Sequence, residues 1–193
     1  MERGFTILEL LVAIALMVLV MAAVFGNYPE FNRRVALDGI ANKVALTIRE
    51  AQVNSVAGRK FGTAEPGCYP GYGVHFDTGT PTSYTLFADP PLPCPPNGTG
   101  DGNYTPSASP SETVQTISLK QGYVVTDITV SGGACASVSS AQLTVLFPKR
   151  NTGAMIKNAA SQLCDTAVIT VSKTGTSLTK QIYVGISGHA YVQ

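Results

Sequence analysis

Between Leu10 and Pro29 the chain carries no charged residue. A run of roughly 20 such residues, rising about 1.5 Å each as a helix, is long enough to cross the hydrocarbon core of a bilayer. One acid, Glu9, stands at its N-terminal edge. A carboxylate in hydrocarbon is costly enough to call for a partner or a task. A plain membrane anchor with an incidental Glu9 near the headgroups is the simplest alternative. A secretory signal peptide fits worse: only a few residues precede the run, an acid interrupts the apolar region, and no small-x-small cleavage site stands after Val24 before the helix-breaking Gly26-Asn27-Tyr28-Pro29. At Gly26-Asn27-Tyr28-Pro29 the sequence predicts a kink or a short melted turn, since glycine loosens a helix and proline removes a backbone donor.

The residues before the run have a pattern of their own. Met1 to Gly4 make a short polar leader ending in glycine, Phe5 follows, and then comes Thr6-Ile7-Leu8-Glu9-Leu10, with the acid fifth after the glycine. This pattern resembles the type III signal sequence of type IV pilins and type II secretion pseudopilins. The resemblance implies that a prepilin peptidase cuts between Gly4 and Phe5, that the new amino group of Phe5 is N-methylated, and that Glu9 guides assembly into a helical filament with other pilin or pseudopilin subunits. A neighbouring subunit's Phe5 amine is the natural counter-charge for Glu9. The expected division is a leader at 1–4, a transmembrane and filament-core helix at 5–28, an amphipathic second half of the helix at 29–60 and a β-rich head at 61–193.

The 193 residues leave room for one ordinary domain after the helix. Net charge is +1, and loss of the leader removes one charge of each sign, Glu2 and Arg3. That balance gives no electrostatic case for nucleic acid or an acidic substrate, so DNA is an unlikely partner, though not an excluded one. Arg3 on one side and Arg33 and Arg34 on the other run against the positive-inside tendency. The domain after the helix and its four cysteines favour export of the C-terminal part. The expected location is therefore a single pass through the inner membrane with the head outside the cytoplasm, followed by a filament.

Beyond Pro29, Leu37, Ile40, Val44, Ile48 and Ala51 recur at helical spacing and form one face for packing on a sheet. Gly58, followed by Arg59 and Lys60, is a suitable stop. The segment from Ile40 to Lys60 resembles the second helical half of the GspH/FimT branch. From Gly62 the pattern turns to β. Tyr72–Phe76 and Tyr84–Ala88 flank a turn-rich stretch and read as a hairpin, and they also resemble the first strands of GspH/FimT-like proteins. Residues from Pro90 to Glu112 read as a long surface excursion outside the core. Further strands are expected at Thr113–Leu119, Tyr123–Val130, Gln142–Phe147, Ala167–Val171 and Lys180–Ile186, with a possible tail through Val192. The fold class is α+β: a long N-terminal helix packed on a C-terminal antiparallel β-sheet or β-sandwich domain.

Cys68, Cys94, Cys135 and Cys164 allow three pairings. The hairpin is centred near position 80, which sets Cys68 opposite Cys94 at its open end and leaves Cys135 for Cys164. The wide spacings, with no C-x-x-C, argue against zinc. Neither His75 nor His189 stands in a catalytic motif, so no enzyme, cofactor or metal centre is expected. Asn97 to Asn103, with Glu112, offers oxygen ligands of the kind Ca²⁺ takes but not EF-hand spacing, and reads as a polar loop. The functional expectation is a structural filament subunit, a minor pilin or pseudopilin most like GspH/FimT, with exported protein as possible cargo. A major pilin and a DNA-binding tip subunit are the alternatives. For the last, His189 stands where the FimT-like resemblance calls for an arginine.

Overall fold

The computed structural model describes residues 6–62, 69–90, 100–107 and 111–193, without the side chains of 26 and 27. The chain divides into two compact units, one up to Ala36 and one from Leu37 to Gln193. Among the described residues there are one helix and eleven strands: α1 (Ile7–Val56), β1 (Gly71–Asp77), β2 (Ser83–Asp89), β3 (Thr113–Ser118), β4 (Tyr123–Gly132), β5 (Cys135–Ser139), β6 (Gln142–Phe147), β7 (Met155–Asn158), β8 (Leu163–Cys164), β9 (Thr166–Lys173), β10 (Thr179–Gly185) and β11 (Ala190–Val192).

No melted turn interrupts α1 at Gly26–Pro29; the helix runs through with Pro29 inside it. Proline deletes one backbone hydrogen bond, and a helix with many turns on either side can bear that loss. The far end stops at Gly58, whose φ of 61° suits a residue without Cβ. Arg59 N donates to Asn54 O at 3.0 Å and Gly58 N to Ser55 O at 3.1 Å, the paired bonds of a Schellman cap.

In the second unit, Leu37, Ile40, Val44, Ile48 and Ala51 are all buried, so the 3.6-residue period is used as the sequence predicts. Polar groups fix the register of that face. Thr47 Oγ1 and Tyr84 Oη lie 3.2 Å apart, Ser55 Oγ donates to Phe147 O at 2.9 Å, and Gln52 Nε2 donates to Thr152 O at 2.6 Å. Asp38 also pairs with Lys180 of β10 at 3.1 Å, so the helix reaches elements of both sheets described next.

The strands form two antiparallel sheets, one in the order β3-β2-β1-β6-β7-β8 and the other β11-β10-β9-β4-β5. β1 and β2 are the expected hairpin, in a register that sets Tyr72 against Ala88 and Phe76 against Tyr84. In the five-stranded sheet, Ile128, Ile169 and Ile182 meet across three strands on the buried face. A register shift between Val125 and Asp127 changes the parity of β4. That bulge is why Val125 and Ile128 both face inward although they are three apart.

β1 and β6 are covered on both faces, with Gly71 to Val74 and Leu143 to Phe147 continuously buried. One face carries Tyr72, Val74, Phe76, Leu143, Val145 and Phe147. On the other face Gly73 lies against Phe87, where an added Cβ would come within 2.6 Å of the ring. Tyr104 covers this second face, with ring centroids 5.3 Å from Phe87 and 5.0 Å from His75. The expectation that residues 90–112 stay outside the core is thus corrected at two residues, while the others described there are half-buried or exposed. Gly102 and Glu112 are buried, and the segment docks through an aromatic ring and backbone hydrogen bonds that polar composition does not advertise.

Candidate functional site

At the N-terminus the proposed cut, Gly4 to Phe5, lies outside the described residues. Geometry begins at Thr6. Glu9 N donates to Thr6 Oγ1 at 3.3 Å and to Thr6 O at 3.1 Å, and Leu10 N to Thr6 O at 3.2 Å. Thr6 is therefore the N-cap of α1 and Glu9 its third residue, and the Thr6 side chain satisfies the otherwise orphaned Glu9 N–H. The carboxylate also complements the positive end of the helix. The signal for this role stands in the sequence, yet the pilin resemblance draws attention past Thr6 to Glu9.

From there α1 is long and apolar enough to cross a membrane, and none of its apolar window is buried among the described residues. Leu10, Leu11, Val12, Ile14, Leu16 and Met17 advance around the helix by about 100° per residue, so they point in every direction. Each is at least half exposed. A helix apolar all round needs lipid or other helices. It is compatible with single-pass membrane anchoring.

The head contains a second cluster of chemical interest. Asp89, Asp101 and Glu112 bring carboxylate oxygens within 4.8 Å of one another. Asp89, at the end of β2, accepts Gly102 N–H at 2.9 Å, and Glu112 accepts Thr105 N–H at 2.7 Å. A Cβ on Gly100 would collide with the Asp89 carboxylate. Burial pushes the Asp89 carboxyl up to about 6; the Gly102 hydrogen bond and Lys157 oppose this, while Asp101 and Glu112 add to it. Burial also raises Glu112. Lys157 Nζ donates to Asp101 O at 3.1 Å and to Asn103 Oδ1 at 3.4 Å. The described arrangement fastens residues 100–107 to the sheet through two carboxylates, with a lysine supplying positive charge. Of the residues read as possible calcium ligands, Asp101 and Glu112 are brought together; Asn97, Gly98 and Thr99 lie outside the described residues. Asp89, which completes the trio, sits in a strand and carries no loop signal.

Cys135 and Cys164 are joined, with Cα atoms 5.2 Å apart, tying β5 to β8. Cys68 and Cys94 lie outside the described residues. His75 is in β1, where its Nδ1 lies 3.0 Å from Thr144 Oγ1 and burial lowers its pKa. His189 is exposed in the turn before β11. The two histidines are not brought to a common site with the carboxylate trio.

An N-terminal apolar helix whose second half packs on antiparallel sheets defines a protein of α+β, pilin-like layout. Residues 1–25 match the family model of the prokaryotic N-terminal methylation motif. The match supports a type IV pilin-like protein, made as a prepilin, processed by its peptidase and assembled with other pilins. Comparison with curated proteins and with solved structures finds no match.

Proposed function

We propose that the chain is a structural subunit of an envelope-spanning filament, a minor pilin or pseudopilin of GspH/FimT type in a type II secretion system or a type IV pilus. The observation that carries this reading is the methylation motif running directly into a helix exposed and apolar on every side. Before assembly lipid covers that helix; in the filament, neighbouring helices do. Glu9 has two tasks in this reading. Its carboxylate complements the positive end of its own helix, and its charge pairs with the amine of a neighbouring subunit's processed Phe5.

Glu9→Gln keeps the side chain's shape and the backbone N–H that Thr6 caps, and removes the charge. Processed Glu9→Gln subunits should accumulate in the inner membrane while their share in sheared filaments falls at least several-fold. Both fractions must come from the same cells, so that a processing defect is seen as such. Normal incorporation of the variant would contradict the charge pairing.

A further inference from the structure

Ile182 and Val184 of β10 are buried, so Tyr183 between them points away from the core. Tyr191 of β11 is its direct cross-strand partner, and the two rings stack with centroids 5.2 Å apart at an interplanar angle of 7°. A cross-strand aromatic pair steadies a strand as short as β11, and that role accounts for the stacking. It does not account for the exposure, since Tyr191 remains 58% exposed at the edge of the sheet. Edge strands are ordinarily blunted by lysine or another charge, whereas β11 reads Ala-Tyr-Val.

The neighbouring strands extend the same face. Their register sets Val168 and Thr129 in line with the rings, and Thr170 and Asp127 in line with Gln181. From β11 to β4 the face spans about 14 Å, at the usual spacing between strands. Lys180 lies on the opposite side, paired with Asp38 at 3.1 Å. Among the described residues, the acid on the outer face is Asp127, whose carboxylate accepts from Ser139 Oγ and Thr129 Oγ1. The other polar groups also hold one another: Tyr183 Oη donates to Gln181 Oε1 at 2.8 Å, and Ser131 Oγ lies 2.7 Å from Thr166 Oγ1. The Gln181 amide nitrogen keeps two donors for a group outside the chain.

We propose that this face binds an uncharged polysaccharide. Charge complementarity makes the first selection: a phosphate or carboxylate finds no cation there, and an aspartate already held by two hydroxyls is a poor host for a cation. A protein partner fits less well. Interface cores favour apolar anchors seated in pockets and are depleted in serine, whereas here hydroxyl-bearing side chains surround two tyrosines on a sheet. A sugar ring offers both complements. Its C–H face can lie on an aromatic ring, and its hydroxyls donate and accept as those of threonine and serine do.

Tyr183 occupies one face of the Tyr191 ring, and the other face looks past the sheet edge, where the order of strands ends. That second face is the place for a sugar ring, with the Gln181 amide and the threonine hydroxyls available to the units beyond it. The hydrogen bonds already made within the face fix these side chains before binding, which limits the entropy lost on association. Every residue invoked belongs to the head, so the inference does not depend on filament assembly.

The test is isothermal titration calorimetry with the full processed chain in a polyoxyethylene detergent, which carries no sugar head group. The probes are chitopentaose and cellopentaose, both uncharged, and the pentamer of galacturonic acid, which keeps the hydroxyls and adds carboxylates. At least one uncharged probe should bind with a dissociation constant of about a millimolar or tighter, and the charged one roughly fivefold more weakly or worse. Raising salt from about 50 to about 500 mM should change the affinity for the uncharged probe less than about twofold, since no ion pair is screened. Tyr191→Ala should weaken that binding roughly tenfold or more. Gln181→Glu keeps the acceptor for Tyr183 Oη, loses the amide donors and should weaken binding several-fold. Leu163→Ala trims an exposed side chain of the other sheet and should leave binding unchanged. A melting curve for each variant separates lost binding from lost fold. Should Tyr191→Ala unfold the head, Gln181→Glu decides alone, and unaltered binding by that folded variant overturns the proposal. So does failure of both uncharged probes to bind at about 5 mM, tighter binding of the charged one, or equal losses in Tyr191→Ala and Leu163→Ala. Self-association that Tyr191→Ala abolishes while no sugar binds would overturn it too, and assign the face to a second copy of the chain.

Discussion

The unit ending at Ala36 and the unit beginning at Leu37 solve opposite problems with one helix. In the first, Leu8, Leu19 and Phe25 are 74%, 67% and 69% exposed among the described residues. In the second, Val44, Ile48 and Ala51 have no exposed surface at all. The first stretch is complete only when lipid or other helices surround it; the second closes on its own sheets. The same secondary structure thus serves association in one place and folding in the other, and side-chain pattern alone decides which.

The largest expected effect breaks this contrast directly. Ile169→Asp places an unpaired carboxylate in the buried face shared by β4, β9 and β10, and should cost more than about 4 kcal/mol, enough to leave the head unfolded in a urea titration. Leu16→Asp should leave the urea midpoint of the head unchanged and instead release protein from the membrane fraction, given a cost of about 2.5–3.5 kcal/mol for an acid at mid-helix. A shift of the head's midpoint by Leu16→Asp would show that the two stretches are energetically coupled.

Next in size is the Cys135–Cys164 bridge. Replacing both cysteines with serine should lower the head's stability by about 3 kcal/mol, read from urea unfolding, since the bridge spans a sequence separation of 29. Non-reducing peptide mapping should recover this pair and, by the hairpin argument, Cys68 with Cys94.

Sequence and structure part company in instructive places. The buried helical face was legible because its 3.6-residue period is local and is marked by five apolar residues. So was the β1–β2 hairpin, where aromatic and β-branched residues flank a turn. β5 and β7 were not: Cys-Ala-Ser-Val-Ser and Met-Ile-Lys-Asn carry little strand propensity and exist because β4 and β6 offer them partners. The bulge in β4 hides the alternation on which strand reading depends. At the N-terminus the motif was legible from residue types, whereas Asp89 joins Asp101 and Glu112 only through the fold.

A smaller effect sharpens the account of how the head holds residues 100–107. With the folded pKa of Asp89 near 6 and an unfolded value near 4, the folded state binds more protons between those values. This group therefore makes stability fall as pH rises from about 4 to about 6, after which its contribution is level. Asp89→Asn keeps an acceptor for Gly102 N–H and should stabilise the head by about 1–3 kcal/mol at pH 7, with the gain vanishing below pH 4. Destabilisation at pH 7 would mean that the ionised carboxylate holds the loop more strongly than burial opposes it. Smallest is Thr6→Ala, which removes the N-cap and should cost about 1 kcal/mol, seen as faster amide exchange at Glu9 with no change in the head's midpoint.

The central claim is that the apolar helix is kept and its N-terminus is remade. Mass spectrometry of the N-terminal peptide from membrane and filament fractions of cells with an active prepilin peptidase tests it most directly. The account predicts a mature chain beginning at Phe5 with a methylated amino group. A mature terminus beyond Gly26, or a chain still beginning at Met1 in both fractions, would contradict it.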